Sequence, residues 1–269
     1  MNTRIITGAL LAIVAFAGAR VAAAEPYTGN AYDLGSGALL YRESHEQFVV
    51  DGAAQGLVLY RCPDGRPFAR KQLRDDGDAQ APDFDMIDAR LNYHEGVRRH
   101  GDRREVYVQR TAEVPEQMES LAVPPNAVID AGFDEFVRQH WDALAGGSSL
   151  SVQFLVPSRR VFYPFKVQKM ENAANPTALT LRLSLSGWYA FLLPHIDVVY
   201  DHANRRLLRY EGISNVRDAA GKSYKVRIEF PHASAASPSP QQMDAALTAP
   251  LTASCAVVRA DTTASATAH

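Results

Sequence analysis

Residues 179–186 read LTLRLSLS, and this stretch is the clearest indication of the fold class. Leucine stands at every second position, while threonine, arginine and serine occupy the positions between. Successive side chains of a strand point to opposite faces, so the stretch predicts a strand with one apolar and one polar face. Residues 224–230 (YKVRIEF) repeat the pattern, as do residues 150–156 and 161–167. Such alternation is typical of an antiparallel sheet that is wetted on one side.

Turn-forming residues separate these runs. Pro63-Asp64-Gly65 and His100-Gly101-Asp102 interrupt the alternation, and residues 202–204 and 218–221 do the same nearer the end. These residue types favour tight turns, so we expect a meander of roughly ten strands, connected mostly in sequence order. The absence of strand–helix–strand repeats from the sequence pattern argues against a doubly wound α/β fold.

One segment has the periodicity of a helix. Its large apolar residues recur at spacings of three and four: Phe133, Phe136, Val137, Trp141 and Leu144. This spacing puts them on one face of a helix near 130–145, with Asp130 as a candidate N-cap and Gly146-Gly147 as the stop. We therefore predict a mainly β fold with one central helix (α+β), in which a curved antiparallel sheet or half-barrel wraps around that helix.

The first 24 residues have the three parts of a secretory signal peptide. A basic start at Arg4 precedes the apolar run 5–18, and Ala22-Ala23-Ala24 forms a cleavage signal. The apolar run of about 14 residues is shorter than the ~20 that span a bilayer, although a retained anchor is the alternative. No later stretch is apolar enough for a membrane helix, so we expect an exported protein that is not integral to a membrane.

The rest of the chain divides into two parts. Residues 25–232 are expected to form a single β-rich domain, while 233–269 are rich in Ala, Ser, Thr and Pro. A segment of this composition buries too little apolar surface to offset its ordering entropy, so we predict a disordered tail. The two cysteines, Cys62 and Cys255, either pair in an oxidising compartment or remain separate thiols.

Charge and motifs exclude several classes of protein. The 28 Lys and Arg residues nearly balance the 30 Asp and Glu residues, so no broad positive field is available for nucleic acid. His45-Glu46 and His94-Glu95 lack the second histidine of a zinc-protease motif, and the acidic residues 75–88 lack the spacing of a calcium loop. We predict no catalytic residue, no metal and no cofactor, and thus a non-enzymatic protein. An exported hydrolase, with His195 and Asp197 as its candidates, is the third possibility.

Two groups of side chains are candidates for binding. Arginines flank one hairpin tip, where they could contact an anionic headgroup: Arg98, Arg99, Arg103 and Arg104. Aromatic side chains of the helix and the later strands could line a lipid-sized cavity: Phe133, Phe136, Trp141, Tyr163, Phe165 and Trp188. The alternative for the aromatic set is that these rings fill a closely packed core.

Three further stretches carry a resemblance to a known family: Val199-Tyr200-Asp201, residues 208–215 (LRYEGISN) and residues 226–230 (VRIEF). With the signal peptide, the meander and the inserted helix, the chain resembles the periplasmic lipoprotein-carrier (LolA-like) superfamily and uncharacterised exported proteins of proteobacteria. The resemblance implies a half-barrel that cups a helix and often an acyl chain, and hence a periplasmic protein that binds or carries a lipid or other hydrophobic ligand. The alternative is an envelope structural or interaction protein with a fully packed core.

Overall fold

The computed structural model describes residues 26–50, 53–75, 77–171, 175–187, 195–231 and 239–255, and the expected signal peptide lies outside them. The strands of the first half are β1 (Tyr27–Asp33), β2 (Leu39–Val50), β3 (Ala53–Arg61), β4 (Pro67–Asp75), β5 (Asp83–Asp88), β6 (Tyr93–His100), β7 (Arg103–Gln109) and β8 (Gln117–Ala122). Those of the second half are β9 (Ala127–Val128), β10 (Leu150–Val156), β11 (Val161–Met170), β12 (Ala178–Leu185), β13 (Ile196–Asp201), β14 (Leu207–Arg217) and β15 (Ser223–Glu229). The helices are α1 (Gly132–Gln139), α2 (Trp141–Ala145) and α3 (Pro240–Thr248).

All fifteen of these strands belong to one sheet. Its order is β8-β7-β6-β5-β4-β3-β2-β1-β15-β14-β13-β12-β11-β10-β9. All pairs are antiparallel except that of β9 with β10. The sheet therefore consists of two meanders, β1 to β8 and β10 to β15, which are joined by the pairing of β1 with β15. The edge strands β8 and β9 do not pair with each other, and the sheet is therefore open. The predicted antiparallel meander is confirmed.

The prediction of roughly ten strands is wrong, because two kinds of strand hide from a search for apolar alternation. β5 falls in the stretch that the sequence presents as an acidic loop. Its Phe84 and Met86 are buried, while Asp83 and Asp85 between them lie on the opposite face. The edge strand β8 is exposed at five of its six positions, so it carries no apolar face that could reveal it.

The prediction of one central helix is also wrong, although its buried face is confirmed. Every residue of the predicted apolar face, from Phe133 to Leu144, is buried. The segment forms two short helices because His140, at φ −107° and ψ 19°, leaves the helical region and stacks its ring on Phe136 with centroids 4.4 Å apart. Ala131 rather than Asp130 occupies the N-cap position of α1, and Gly146 caps α2 as expected.

The third helix lies in the tail, where the sequence predicts disorder. α3 begins with a capping box, in which Ser239 and Gln242 each bond the other's backbone N–H. A disulfide joins Cys62 to Cys255 and ties the described part of the tail to the end of β3. In residues 239–255, capping and covalent interactions thus supply order that apolar burial alone does not.

Side chains from distant strands meet across the concave side of the sheet. Tyr41 of β2 and Ser214 of β14 share a 2.7 Å hydrogen bond, and Arg90, just after β5, donates to the carbonyl of Arg217 in β14. These strands are three or more positions apart in the sheet order, so only a strongly curled sheet brings them together.

None of the described helices is long and apolar enough to cross a membrane.

The interior holds two groups of packed side chains. The strand-side core consists of Ala31, Tyr41, Val58, Tyr60, Cys62, Phe68, Ala69, Ala81, Phe84, Met86, Val97, Val106, Ile129, Leu155, Val216, Val226, Ile228 and Phe230. The helix-side core consists of Val128, Phe133, Phe136, Val137, Trp141, Leu144, Val152, Val167, Leu179, Leu181, Leu183, Val198 and Tyr200. Three of the four leucines of the LTLRLSLS stretch, Leu179, Leu181 and Leu183, therefore pack in the same core as α1 and α2.

Candidate functional site

Four phenylalanine rings form a continuous row from α1 to the adjoining strands. Phe136 stacks on Phe133 at a centroid distance of 6.1 Å, and Phe133 lies 6.4 Å from Phe154 of β10. Phe154 in turn meets Phe165 of β11 edge-on at 5.9 Å. We call Phe136, Phe133, Phe154 and Phe165 the aromatic row. Its spacing and ring angles are those of favourable aromatic pairs.

The aromatic row runs from the interior toward solvent. Phe136 is 3% exposed and Phe133 is 8% exposed, whereas Phe154 and Phe165 are only half-buried. Tyr163 is the cross-strand partner of Phe154 and is half-buried as well. The row therefore ends in aromatic surface that water can reach, on the two strands nearest the β9 edge.

The other two predicted residues stand apart from this row. Trp141 of α2 is buried against Tyr200 and His202, with the guanidinium of Arg205 5.2 Å from the centre of its ring. Trp188 lies outside the described residues. The structure thus brings together Phe133, Phe136, Phe165 and, through its pairing, Tyr163, but it places Trp141 in a separate aromatic contact.

Sequence reasoning missed Phe154 as a candidate, although the signal for it was present. Phe154 occupies the apolar face of residues 150–156 and pairs in register with Tyr163, as Val152 pairs with Phe165. The pairing of β10 with β11 around the turn at Pro157–Arg159 was the information required. A hairpin assignment for these two runs would have placed Phe154 on the same face as Tyr163 and Phe165.

A second, polar group lies where the sheet curls toward the start of α1. The Nζ atom of Lys71 donates to both carboxylate oxygens of Asp130, at 2.7 and 2.9 Å. Asn215 donates its amide N–H to the same carboxylate at 2.9 Å, and the side chains of Lys71 and Asp130 are each only 9% exposed. The backbone of Asp130 has φ +46°, a left-handed conformation that aspartate tolerates better than most residues. No local pattern in the sequence indicates this pair.

A buried carboxyl group adds to this polar interior. Glu95 is 2% exposed and accepts a 2.5 Å hydrogen bond from the hydroxyl of Tyr93. Arg217 donates to the same hydroxyl at 3.0 Å and lies over the Tyr93 ring. Burial raises the pKa of Glu95, since the charged form loses its hydration, although the nearby Arg217 opposes this effect. Glu95, Tyr93 and Arg217 therefore form a hydrogen-bonded network within the interior.

The residues considered for catalysis and metal binding are engaged in ion pairs. Asp197, the candidate partner of His195, accepts two 2.7 Å hydrogen bonds from Arg182, and His195 lies 3.5 Å from it. His45 contacts Glu43 at 2.8 Å, on a strand rather than a helix. Across the part of the chain that the structure describes, no group of three or more His, Cys, Asp or Glu side chains is placed to hold a metal ion.

Comparison with known proteins assigns no family to the chain. No family model and no curated protein matches the chain. Among solved structures, the chain is similar to the crystal structure of a β-barrel-like protein of a domain of unknown function (DUF1849) from Brucella abortus. The two share 11% sequence identity over 77% of this chain and 94% of that chain, with a TM-score of 0.43. This similarity assigns no role to any residue, and the resemblance to the lipoprotein carriers stays a prediction.

Proposed function

We propose that this is an exported periplasmic protein that binds or carries a lipid or another hydrophobic ligand without catalysing a reaction. The observation that supports the proposal is the aromatic row, which leads from the buried rings of α1 to half-buried rings on β10 and β11. The row does not end at buried rings, because Phe154, Phe165 and the neighbouring Tyr163 are only half-buried. An apolar ligand lying on Phe154, Phe165 and Tyr163 would remove their accessible surface from water.

The second candidate is a packed structural or interaction protein of the cell envelope. It is favoured by the inner end of the same row, because Phe133, Phe136 and Trp141 are each at most 8% exposed. In that case the helix does no more than fill the concave side of the sheet. The two functions differ at the outer end of the row: ligand binding requires Phe165 and Tyr163 to contribute to affinity, and a packed module does not.

The test compares two phenylalanines of the same strand. Phe165 belongs to the aromatic row, while the half-buried Phe162 lies against the strand-side core. Binding of a fluorescent fatty acid would be measured for the wild type, Phe165→Ala, Tyr163→Ala and the control Phe162→Ala. We expect the Phe165 and Tyr163 variants to lose about tenfold in affinity, because each removes part of the apolar contact, and Phe162→Ala to bind like the wild type.

Native mass spectrometry of protein taken from the periplasm provides the complementary measurement. We expect a mature chain beginning at Glu25 that carries a co-purified lipid, consistent with the cleavage signal at residues 22–24. A wild type that binds no fatty acid and carries no lipid would exclude the carrier and leave the packed module. Equal losses of affinity in Phe165→Ala and Phe162→Ala would show that binding does not involve the aromatic row.

A further inference from the structure

The hairpin of β2 and β3 ends in apolar side chains that water can reach. Val49 and Val50 are 49% and 41% exposed, and they pair with Ala54 and Ala53 across the hairpin. Phe48, which precedes them, is half-buried. We call Phe48, Val49, Val50, Ala53 and Ala54 the apolar tip.

The apolar tip differs from the other strands in having no polar face. Val49 and Val50 are consecutive, so their side chains point to opposite sides of the hairpin. The tip also extends beyond β1: in the described chain, pairing of β2 with β1 stops at His45, whereas pairing of β3 with β4 continues to Ala54. Residues 46–50 therefore project about 17 Å past the β1 pairing, at ~3.4 Å per residue. A groove on a partner protein would cover one side of this projection, whereas an apolar layer would cover both.

A second hairpin tip at the same end of the sheet is basic. β2, β4 and β6 run in the same direction, so the turn after β6 lies at the same end as the turn after β2. Arg99 and Arg103 are exposed there, and Arg103 donates to the hydroxyl and carbonyl oxygens of Ser120. Two strands lie between these hairpins, so the tips are on the order of 15 Å apart at ~4.8 Å per strand.

The acidic residues near these tips do not cancel the arginines. Asp78 and Asp83, between the two hairpins, lie 3.6 and 3.7 Å from the buried guanidinium of Arg104. Asp102 is the acid of the basic turn itself, and Asp75 of β4 pairs with Ala54 of the apolar tip. An acid beside the apolar tip limits insertion to the boundary between headgroups and acyl chains, where polar groups stay hydrated.

We propose that the apolar tip inserts into the interface of a lipid bilayer, while Arg99 and Arg103 contact its anionic headgroups. The pairing of apolar side chains with nearby basic ones is the chemistry by which proteins associate reversibly with anionic lipid surfaces. The site is separate from the aromatic row, which lies on β10 and β11 at the other side of the sheet order. Docking at a membrane therefore goes beyond the proposed ligand binding and does not depend on it.

The experiment is co-sedimentation of the mature protein with vesicles, either of phosphatidylcholine alone or of phosphatidylcholine mixed with phosphatidylglycerol. Val49→Ser combined with Val50→Ser should weaken binding to both kinds of vesicle by about tenfold or more. Arg99→Gln combined with Arg103→Gln should weaken binding to the anionic vesicles several-fold and leave the neutral ones unchanged. The matched control, Val161→Ser with Ile213→Ser, removes two apolar residues that are 43% and 42% exposed elsewhere and should bind like the wild type.

A second readout places the tip directly. Tryptophan emission of Val50→Trp should shift to shorter wavelength on addition of vesicles, and that of Ile213→Trp should not. Fatty-acid binding by the Val49→Ser, Val50→Ser variant should equal that of the wild type, which separates this site from the aromatic row. The proposal is overturned if the wild type binds neither kind of vesicle, or if the tip variant and the control lose equally. It is also overturned if the tip variant only abolishes a dimer seen by ultracentrifugation, which would make the tip an interface between copies.

Discussion

The strand-side core and the helix-side core fill the interior of the sheet with different kinds of side chain. The helix-side core is filled by an apolar stripe from α1 and α2 against the leucines of β12. All five buried charged residues of the described chain instead lie on β2 to β7: Glu43, Lys71, Asp88, Glu95 and Arg104. Where a helix fills the concave side, alternating apolar residues suffice. Where strands face each other without one, tyrosines and ion pairs occupy the space.

The charged side chains that are buried in the strand-side half have oppositely charged partners. Lys71 has Asp130, and Asp88 accepts a bidentate pair of hydrogen bonds from Arg90 at 3.0 and 2.6 Å. A buried ion loses several kcal/mol of hydration, which only a well-placed partner offsets. The strand-side core should therefore be sensitive to the loss of a single partner, and the helix-side core to the loss of volume.

The largest expected effect comes from breaking the Lys71–Asp130 pair. Asp130→Asn should cost about 3–5 kcal/mol of unfolding free energy, because it leaves the ammonium group of Lys71 buried without a counter-charge. Lys71→Met should cost a similar amount. The double variant should lose less than either single one, since no uncompensated charge remains. Urea unfolding of the four proteins measures this cycle.

The control for this cycle lies in the helix-side core. Leu144→Ala should cost about 2–5 kcal/mol through the cavity that it leaves, and its cost should add to that of Lys71→Met. Additive costs for Lys71→Met and Asp130→Asn would contradict the comparison, because they would mean that the two residues act independently. The strand-side core would then be held by volume, as the helix-side core is.

The helix-side half is the part that the sequence could predict. Leu179, Leu181 and Leu183 are at most 2% exposed, and their alternation is local information that a reader can see directly. The stripe of Phe133 and Phe136 is local in the same sense, at helical spacing. These patterns singled out Phe133, Phe136 and Phe165 of the aromatic row, but they also included Trp141, which lies apart from it. They omitted Phe154, whose position depends on the pairing of two strands rather than on the pattern of one.

The strand-side half was hard to predict because its contacts are distant in sequence. Lys71 and Asp130 are 59 positions apart, and no local periodicity connects them. The acids of β5 resemble a solvated loop until Asp85 is seen to accept hydrogen bonds from Tyr107 and His94 on neighbouring strands. α3 has a local sequence signal, the capping box at Ser239. Its apolar face, however, is too weak to predict a packed helix.

The next effect in size concerns the covalent link between the tail and the strand-side core. Cys62 is fully buried in that core. The tail is also hydrogen-bonded to β4: the N–H of Thr252 donates to the carbonyl of Pro67 at 2.8 Å, and Arg70 donates to carbonyls near the end of α3. Replacing both cysteines by serine should cost about 2–4 kcal/mol, because the cross-link restrains a long loop in the unfolded chain.

Amide hydrogen exchange shows where this loss appears. In the cysteine-free variant we expect β3 and β4 to exchange faster relative to β12 and β13, because the released tail no longer lies beside them. A chain truncated after His232 should behave in the same way. If truncation leaves the thermal midpoint of the oxidised protein unchanged, the tail is not part of the strand-side half, and the disulfide does not contribute to the stability of the fold.

The smallest effect concerns His94 of β6, which lies between the carboxylates of Asp85 and Glu116. Its Nε2 atom is 2.7 Å from Asp85 Oδ1, and its Nδ1 atom is 3.4 Å from Glu116 Oε2. The hydrogen bond to Asp85 raises the pKa of His94, with partial burial opposing it. Burial acts to raise the pKa of Asp85, but the hydrogen bonds from His94 and Tyr107 outweigh burial and lower it.

These two shifts define a window of pH. A histidine whose pKa is raised on folding stabilises the protein fully below about pH 6.5, and this contribution disappears as the pH rises through the folded value. An aspartate whose pKa is lowered contributes above about pH 3.9 and loses the contribution as the pH falls through its folded value. The pair should therefore stabilise the protein most near pH 5, by at most about 1 kcal/mol, because Asp85 is 43% exposed and partly screened by solvent.

The measurement is the difference in unfolding free energy between the wild type and His94→Gln at several pH values. We expect the wild type to be favoured near pH 5 and the difference to shrink as the pH rises past neutrality. His195→Gln is the matched control, because Asp197 is already held by Arg182 and lies 3.5 Å from that imidazole. A difference for His94→Gln that is constant across the pH range would show that the ring contributes through packing on Tyr107, at a centroid distance of 5.1 Å, and not through its charge.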